Sequence, residues 1–247
     1  MAANYTCTNF TGPDKKKYLI LQTSASNIHL VRAYKDGACH TVAASNCYGM
    51  NASFFNSNTN KAILNIAVQS GSSVGTGQYV PDPNGGQVKD GTVNLIGDSV
   101  IFWNGSSLNY MNGIRYSRDT RLPKDPNTWV QGGIGLYLCS NAWRAGYMGE
   151  YCAESYPLNK TAARTGILIN KSTRAVYLFA CTSEILVSDL RAAMMRYAGL
   201  TEGGSAGNWA AIMTDGGHST QLYSKEGSAV IAGVRGVPQI IALKNKN

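Results

Sequence analysis

Trp209-Ala210-Ala211-Ile212-Met213-Thr214-Asp215-Gly216-Gly217-His218-Ser219-Thr220-Gln221-Leu222 is the stretch on which the reading of this sequence turns. Its first half is an apolar run of strand length. That run delivers a carboxylate, Asp215, to a point where Gly216 and Gly217 remove all side-chain bulk. His218, Ser219 and Thr220 then place three polar groups in succession. Two readings stand side by side. Asp-Gly between strand-like runs is a strong hairpin signal, which makes the stretch a tight turn. A carboxylate, two bare backbone positions and a cluster of polar side chains also make a ligand site. The rest of the chain decides between them.

Around this stretch the sequence is strand-rich. Only 15% of its 247 residues are charged, 44% are hydrophobic, and it holds 27 glycines and 14 tyrosines. Such a composition suits a turn-rich globule with a large core better than a helical bundle. The expectation is a single α+β domain with a mixed or antiparallel sheet core and few helices. Residues 18–23 and 29–34 read as a strand meander, with Lys35-Asp36-Gly37 as the next turn. Val100 to Trp103 runs into an Asn104-Gly105 turn. Residues 162–170 and 174–180 pair across Asn170-Lys171-Ser172-Thr173 as a hairpin. The one amphipathic helix is expected from Ser188, as N-cap, to about Ala198, with Gly199 as its stop. Ala229 to Ala232 and Gln239 to Leu243 supply the last strands. Residues 71–91, rich in Gly, Ser, Pro and Asp, read as a long surface loop and a candidate flap.

The formal charge of +8 implies attraction to anions. Its basic residues are scattered, and no nucleic-acid-binding signature accompanies them, which argues against a nucleic acid polymer as partner. Arg115, Arg118 and Arg121 recur at a spacing of three, but Gly113, Pro123 and Pro126 argue against a helix there, leaving them as anion-binding candidates in irregular structure. The six cysteines include no CxxC pair, so no structural zinc is expected and buried thiols are favoured over disulfides. No apolar run approaches the length of a membrane span, and the start of the chain lacks a signal-peptide pattern, which favours a cytoplasmic over a secreted protein.

Other pieces gain meaning from their order. Asn51-Ala52-Ser53-Phe54-Phe55 could anchor two rings in the core while the Asn and its backbone face a cavity; alone it reads more readily as an ordinary loop followed by a core-filling Phe pair. Arg164-Thr165-Gly166 opens the long hairpin, and Arg235-Gly236-Val237-Pro238 precedes the last strand. This succession resembles the phosphodiester glycosidase family. The family's Asn-Gly-Gly-Phe-Phe is matched at 51–55 with Ala52 and Ser53 in place of glycines, its Arg-Thr at Arg164-Thr165, and its Asp-Gly-Gly-Gly-Ser at 215–219 with His218 in place of the third glycine. The resemblance covers roughly residues 40–243, leaving 1–39 as N-terminal strands.

The resemblance implies a hydrolase that cleaves the glycosyl C1–O bond of a sugar-1-phosphodiester in a glycan, a wall polymer or a nucleotide-like small molecule, without a cofactor. A phosphate monoester leaves readily, so the protein must hold the phosphate, stabilise an oxocarbenium-like centre and direct a water. Arg164, with Arg235 second, suits the phosphate because a planar guanidinium engages two oxygens at once. Asp215 would act on the water or face the developing positive charge. Asn51 would meet sugar hydroxyls, and His218 would replace a water or touch the phosphate. Thr165, Gly216, Gly217, Ser219 and Thr220 would supply further contacts, and Glu154 is the nearest second carboxylate upstream of Arg164. The competing expectation is a non-catalytic module that uses the same pocket to capture a phosphorylated sugar or signal nucleotide.

Overall fold

A computed structural model describes residues 4–58, 60–224 and 235–246, together with the backbone of Val230–Ile231. In chain order the core elements are β1 (Tyr5–Thr11), β2 (Lys17–Ser24), β3 (Ile28–Arg32), β4 (Gly49–Asn51), β5 (Ala67–Gln69), β6 (Ser99–Trp103), β7 (Leu108–Met111) and β8 (Trp129–Gly135). Helix α1 (Trp143–Gly149), β9 (Ala162–Asn170), β10 (Ala175–Ile185) and helix α2 (Val187–Tyr197) follow, then β11 (Trp209–Thr214), β12 (Leu222–Tyr223) and β13 (Gln239–Leu243). The large sheet runs β1-β2-β10-β9-β11-β8-β6-β7, with β5 also paired to β8. The small sheet runs Val230–Ile231, β12, β4, β13, β3. Every described pairing between these strands is antiparallel. The expected α+β, strand-rich architecture is what the chain adopts.

Three layers result. Leu19, Leu21, Ile167, Ile169, Val176, Leu178 and Ile212 point from the large sheet onto Met50, Leu222, Ile240 and Ala242 of the small one. Their sequence neighbours Ile20, Leu168, Phe179 and Met213 point the other way, onto Leu190, Ala193 and Met194 of α2 and Trp143 and Tyr147 of α1. A sheet covered on both faces needs apolar residues at every position, so Ile167-Leu168-Ile169 shows no polar alternation. Among the described residues no helix is long and apolar enough to cross a membrane.

The 162–180 hairpin, the Asn104-Gly105 turn and the Asp36-Gly37 turn form as the sequence implies. Other elements differ. β2 and β3 are no meander: a 3-10 turn at Ala25–Asn27 carries the chain from the large sheet to the small one. Helix α2 begins at Val187 after Leu186, and the Leu186 N–H donates to the Asp189 carboxylate at 2.9 Å, so Asp189 rather than Ser188 secures the first turn. The 71–91 stretch is stapled. Buried Asp90 accepts from the backbone N–H groups of Ile63, Thr76 and Gly77 at 2.8–3.1 Å. Cys39, Cys47, Cys139, Cys152 and Cys181 form no disulfide, and of these Cys139 and Cys181 are buried. Of the expected 229–232 strand, residues 230–231 pair with β12; 229 and 232–234 lie outside the described residues.

Candidate active site

The site forms where the ends of β11 and β4 meet the beginning of β9. The Asp-Gly step after β11 is not a hairpin, because β11 belongs to the large sheet and β12 to the small one. Two contacts divert the chain. The Asp215 N–H donates to the Ala52 carbonyl at 2.9 Å, and Gly216 passes so close to β9 that a Cβ there would sit 2.5 Å from the Ala163 oxygen. Only glycine fits that passage. Gly217 adopts φ +59° with open space where a Cβ would lie, and a 3-10 turn over Gly217–Ser219 follows.

Asn51 is the joint between the sheets. It is fully buried, its Nδ2 donates to the Asp215 carbonyl at 2.7 Å, and its Oδ1 accepts from the Gln221 N–H at 2.8 Å. Thr165, opposite Thr214 in the β9–β11 ladder, also donates its hydroxyl to the Asp215 carbonyl; the Thr214 hydroxyl, 2.8 Å away, is left to donate to Thr165. Ala52 and Ser53 are buried too, and the Ser53 hydroxyl bonds to Gln239 and Gln131. The two small residues after Asn51 are thus housed inside the fold, and Phe54 beside them is buried.

Asp215 is only 6% exposed. Burial pushes its carboxyl up to about 6, against the pull of the Ser219 hydroxyl, Arg235 and the Gly216 N–H. Oδ2 is buried without a hydrogen bond; Arg235 Nη2 stands 3.9 Å from it. Ser219 connects the two residues, because its hydroxyl accepts from Arg235 Nη2 at 2.6 Å. Arg235 lies over the Phe55 ring, 4.9 Å from its centroid, and its carbonyl accepts from Gln221 Nε2 at 2.6 Å. Thr220 Oγ1 is buried without a partner.

Arg164 is 4% exposed and makes no ion pair among the described residues. Nη2 donates to the Lys160 carbonyl at 2.7 Å, Nη1 reaches Met213 Sδ at 3.8 Å, and Nε is buried without a partner. Burial pulls its pKa down, opposed by the neighbouring Tyr147 and Tyr156 hydroxyls. A buried guanidinium with no carboxylate lacks compensation for its charge, and an anion would supply it. Tyr156 stands within electrostatic reach of Asp215, Arg235 and Arg164 together, and its ring packs 4.4 Å from that of Phe54.

The fold therefore gathers Asp215, Gly216, Gly217, Ser219, Thr220, Arg235, Thr165, Asn51 and Arg164. His218 is exposed on the outer side of the 3-10 turn, and Glu154 is exposed beyond Tyr156. The buried carboxylate of that segment is Glu150, which is spent on the N–H groups of Asp98, Ser99 and Gly135. Tyr156, Gln221 and Gln239 are site-building residues that carry no local signal: a lone Tyr or Gln in a loop looks the same whether it faces a cavity or solvent. No three metal-ligating side chains converge among the described residues.

No protein-family model matches this sequence, and no curated protein matches it. Solved structures do share its fold. The catalytic domain of zebrafish N-acetylglucosamine-1-phosphodiester alpha-N-acetylglucosaminidase, auto-inhibited by its pro-peptide, superposes with a TM-score of 0.62 at 14% identity, over 98% of this chain and 83% of that one. A Burkholderia pseudomallei protein gives 0.53 at 11% identity, over 92% and 74%. The chain thus shares its architecture with that zebrafish domain, at an identity that speaks for the architecture alone.

Proposed function

We propose that the protein is a hydrolase that cleaves the glycosyl C1–O bond of a sugar-1-phosphodiester. The observation that carries this reading is the pairing of a buried, uncompensated guanidinium, Arg164, with a buried carboxyl, Asp215, held at about 6, both facing Tyr156. Water adds at C1, the C1–O bond breaks, and a phosphate monoester departs with the bonding electrons. Arg164 and Arg235 hold the phosphate and neutralise the charge that grows on it. Asp215, ionised above its pKa, takes the proton from the attacking water.

Asn51 and Thr165 act as positioning residues, since their bonds fix the Asp215 main chain. Ser219 orients Arg235, and the bare backbone of Gly217 leaves room for the sugar. His218 stands at the rim, where it would meet whatever lies beyond the phosphate.

A panel of sugar-1-phosphodiesters incubated with the protein and resolved by mass spectrometry tests the reading. Cleavage is expected, with a loss of at least about a hundredfold in Asp215→Asn and in Arg164→Ala. Retention of ligand without cleavage would instead make the protein a binding module, and wild-type turnover in either variant would overturn the residue roles.

A further inference from the structure

A cluster of three arginines stands outside this centre. Residues 113–121 line a groove of about 550 Å³, large enough for a drug-sized ligand, with Arg115, Arg118 and Arg121 along it. The segment is irregular but pinned. Ile114 and Leu122 are buried at its ends, and main-chain bonds tie Ile114 to Asp98, Arg115 to Asn94 and Ser117 to Thr92.

Two of the three guanidiniums lie on tyrosine rings. Arg115 sits 3.3 Å from the centroid of Tyr151, and Arg118 sits 4.3 Å from that of Tyr116. Stacking occupies the face of a guanidinium and leaves its N–H edge free. Neither arginine forms an ion pair with a described carboxylate. The neighbouring acids hydrogen-bond elsewhere, Asp98 and Asp82 meeting Arg115 and Arg118 only at electrostatic range. Asp119 is gripped by Arg121 through two bonds of 2.7 and 2.9 Å, Asp82 takes the Tyr116 hydroxyl and the Asn84 N–H, and Asp98 takes the Gly113 N–H. What remains is a pair of preoriented donor edges with no acceptor.

The groove also lies within reach of the candidate active site. Tyr151, which carries Arg115, and Tyr156, which faces Arg164 and Asp215, are five residues apart in the chain, a reach of at most about 18 Å. A ligand with several phosphates could therefore engage both places.

We infer that the Arg115–Arg118 groove is an accessory site for a phosphodiester-linked polymer, which it holds by one phosphate while another lies at Arg164. The choice of polymer rests on the hydrolase reading above; the affinity of the groove for anions does not. A fluorescent glycerol phosphate hexamer is the probe, because it has phosphodiesters but no sugar C1–O bond to cleave. Anisotropy titrations should show Arg115→Gln/Arg118→Gln weakening its binding about tenfold, while Lys15→Gln/Lys16→Gln/Lys17→Gln, which removes more charge elsewhere, changes it less than about twofold.

Should the double variant fold poorly, the exposed Arg118→Gln alone carries the test, with about a threefold loss expected. Undiminished binding in the arginine variants, or an equal loss in the lysine variant, overturns the site. Tighter binding of a single-stranded DNA hexamer overturns the ligand class in favour of nucleic acid. The two proposals fail separately. If only the hydrolase reading is wrong, the hexamer still binds through Arg115 and Arg118 while no small phosphodiester is cleaved. If only the groove is wrong, cleavage persists and hexamer binding ignores those residues.

Discussion

At the scale of single residues, Asp215, the base of the proposed reaction, costs stability. Its carboxyl titrates at about 6 in the fold, against 3.8 for the free side chain. A carboxyl whose pKa is raised by folding binds its proton more tightly in the native state, so its stabilisation is present at low pH and lost as pH rises through about 6. The ionised form above that point costs about 3 kcal/mol. Asp215→Asn should therefore unfold at the same denaturant concentration as wild type near pH 3, gain on it as pH rises from 3.8 to about 6, and be more stable by about 3 kcal/mol above that. Urea titrations across that range check this, and a gap independent of pH would contradict the burial argument. The wild-type kcat/KM should rise through pH about 6, as a base requires. The position of Asp215 was legible in the order of motifs along the chain. Its pKa was not, because burial, its largest cause, and the opposing pull of Arg235 depend on how the fold closes around it.

At the scale of elements, what was legible depended on whether the signal was local. The 162–180 hairpin and the stop of α2 at Gly199, with φ +69°, follow from residues within a few positions of each other. The helix start shows how local signals mislead. Ser188 looks like a cap, yet the bond is made by Asp189 reaching back to Leu186. Asp189→Ala should cost about 1 kcal/mol in thermal or chemical unfolding, and Ser188→Ala only a few tenths. A larger loss at Ser188 would reverse the assignment. Strand partners lay beyond such reasoning. β1 is largely polar because it edges the large sheet, and β3 parts from β2 because β13, some two hundred residues later, pairs with it. Helix α1 escaped notice because its short Trp-Arg-Ala-Gly-Tyr-Met-Gly sequence has two glycines and no side-chain cap.

At the scale of the whole molecule, the two sheets are joined by packing throughout and by polar contacts at several points, the bond from the Leu30 N–H to Gln69 among them. Asn51 supplies two of those at the corner beside Asp215, so Asn51→Ala leaves the Gln221 N–H without its acceptor and removes a donor from the Asp215 carbonyl inside the protein. A loss of about 2–4 kcal/mol in denaturant unfolding is expected, with activity falling in parallel, whereas Asn51→Asp should restore only the bond from Gln221. Stability unchanged in Asn51→Ala would show that the corner carries no load. The placement of β13 has a consequence in time. This strand lies between β3 and β4, so the small sheet, and with it the corner that holds Asp215, cannot close until residues 239–243 have been synthesised. Such pairing of distant segments slows folding. On the ribosome the large-sheet hairpins can form early, but the corner at Asp215 stays open until residues 239–243 have emerged, so a product terminated before them would carry every motif residue up to Ser219 without a closed small sheet.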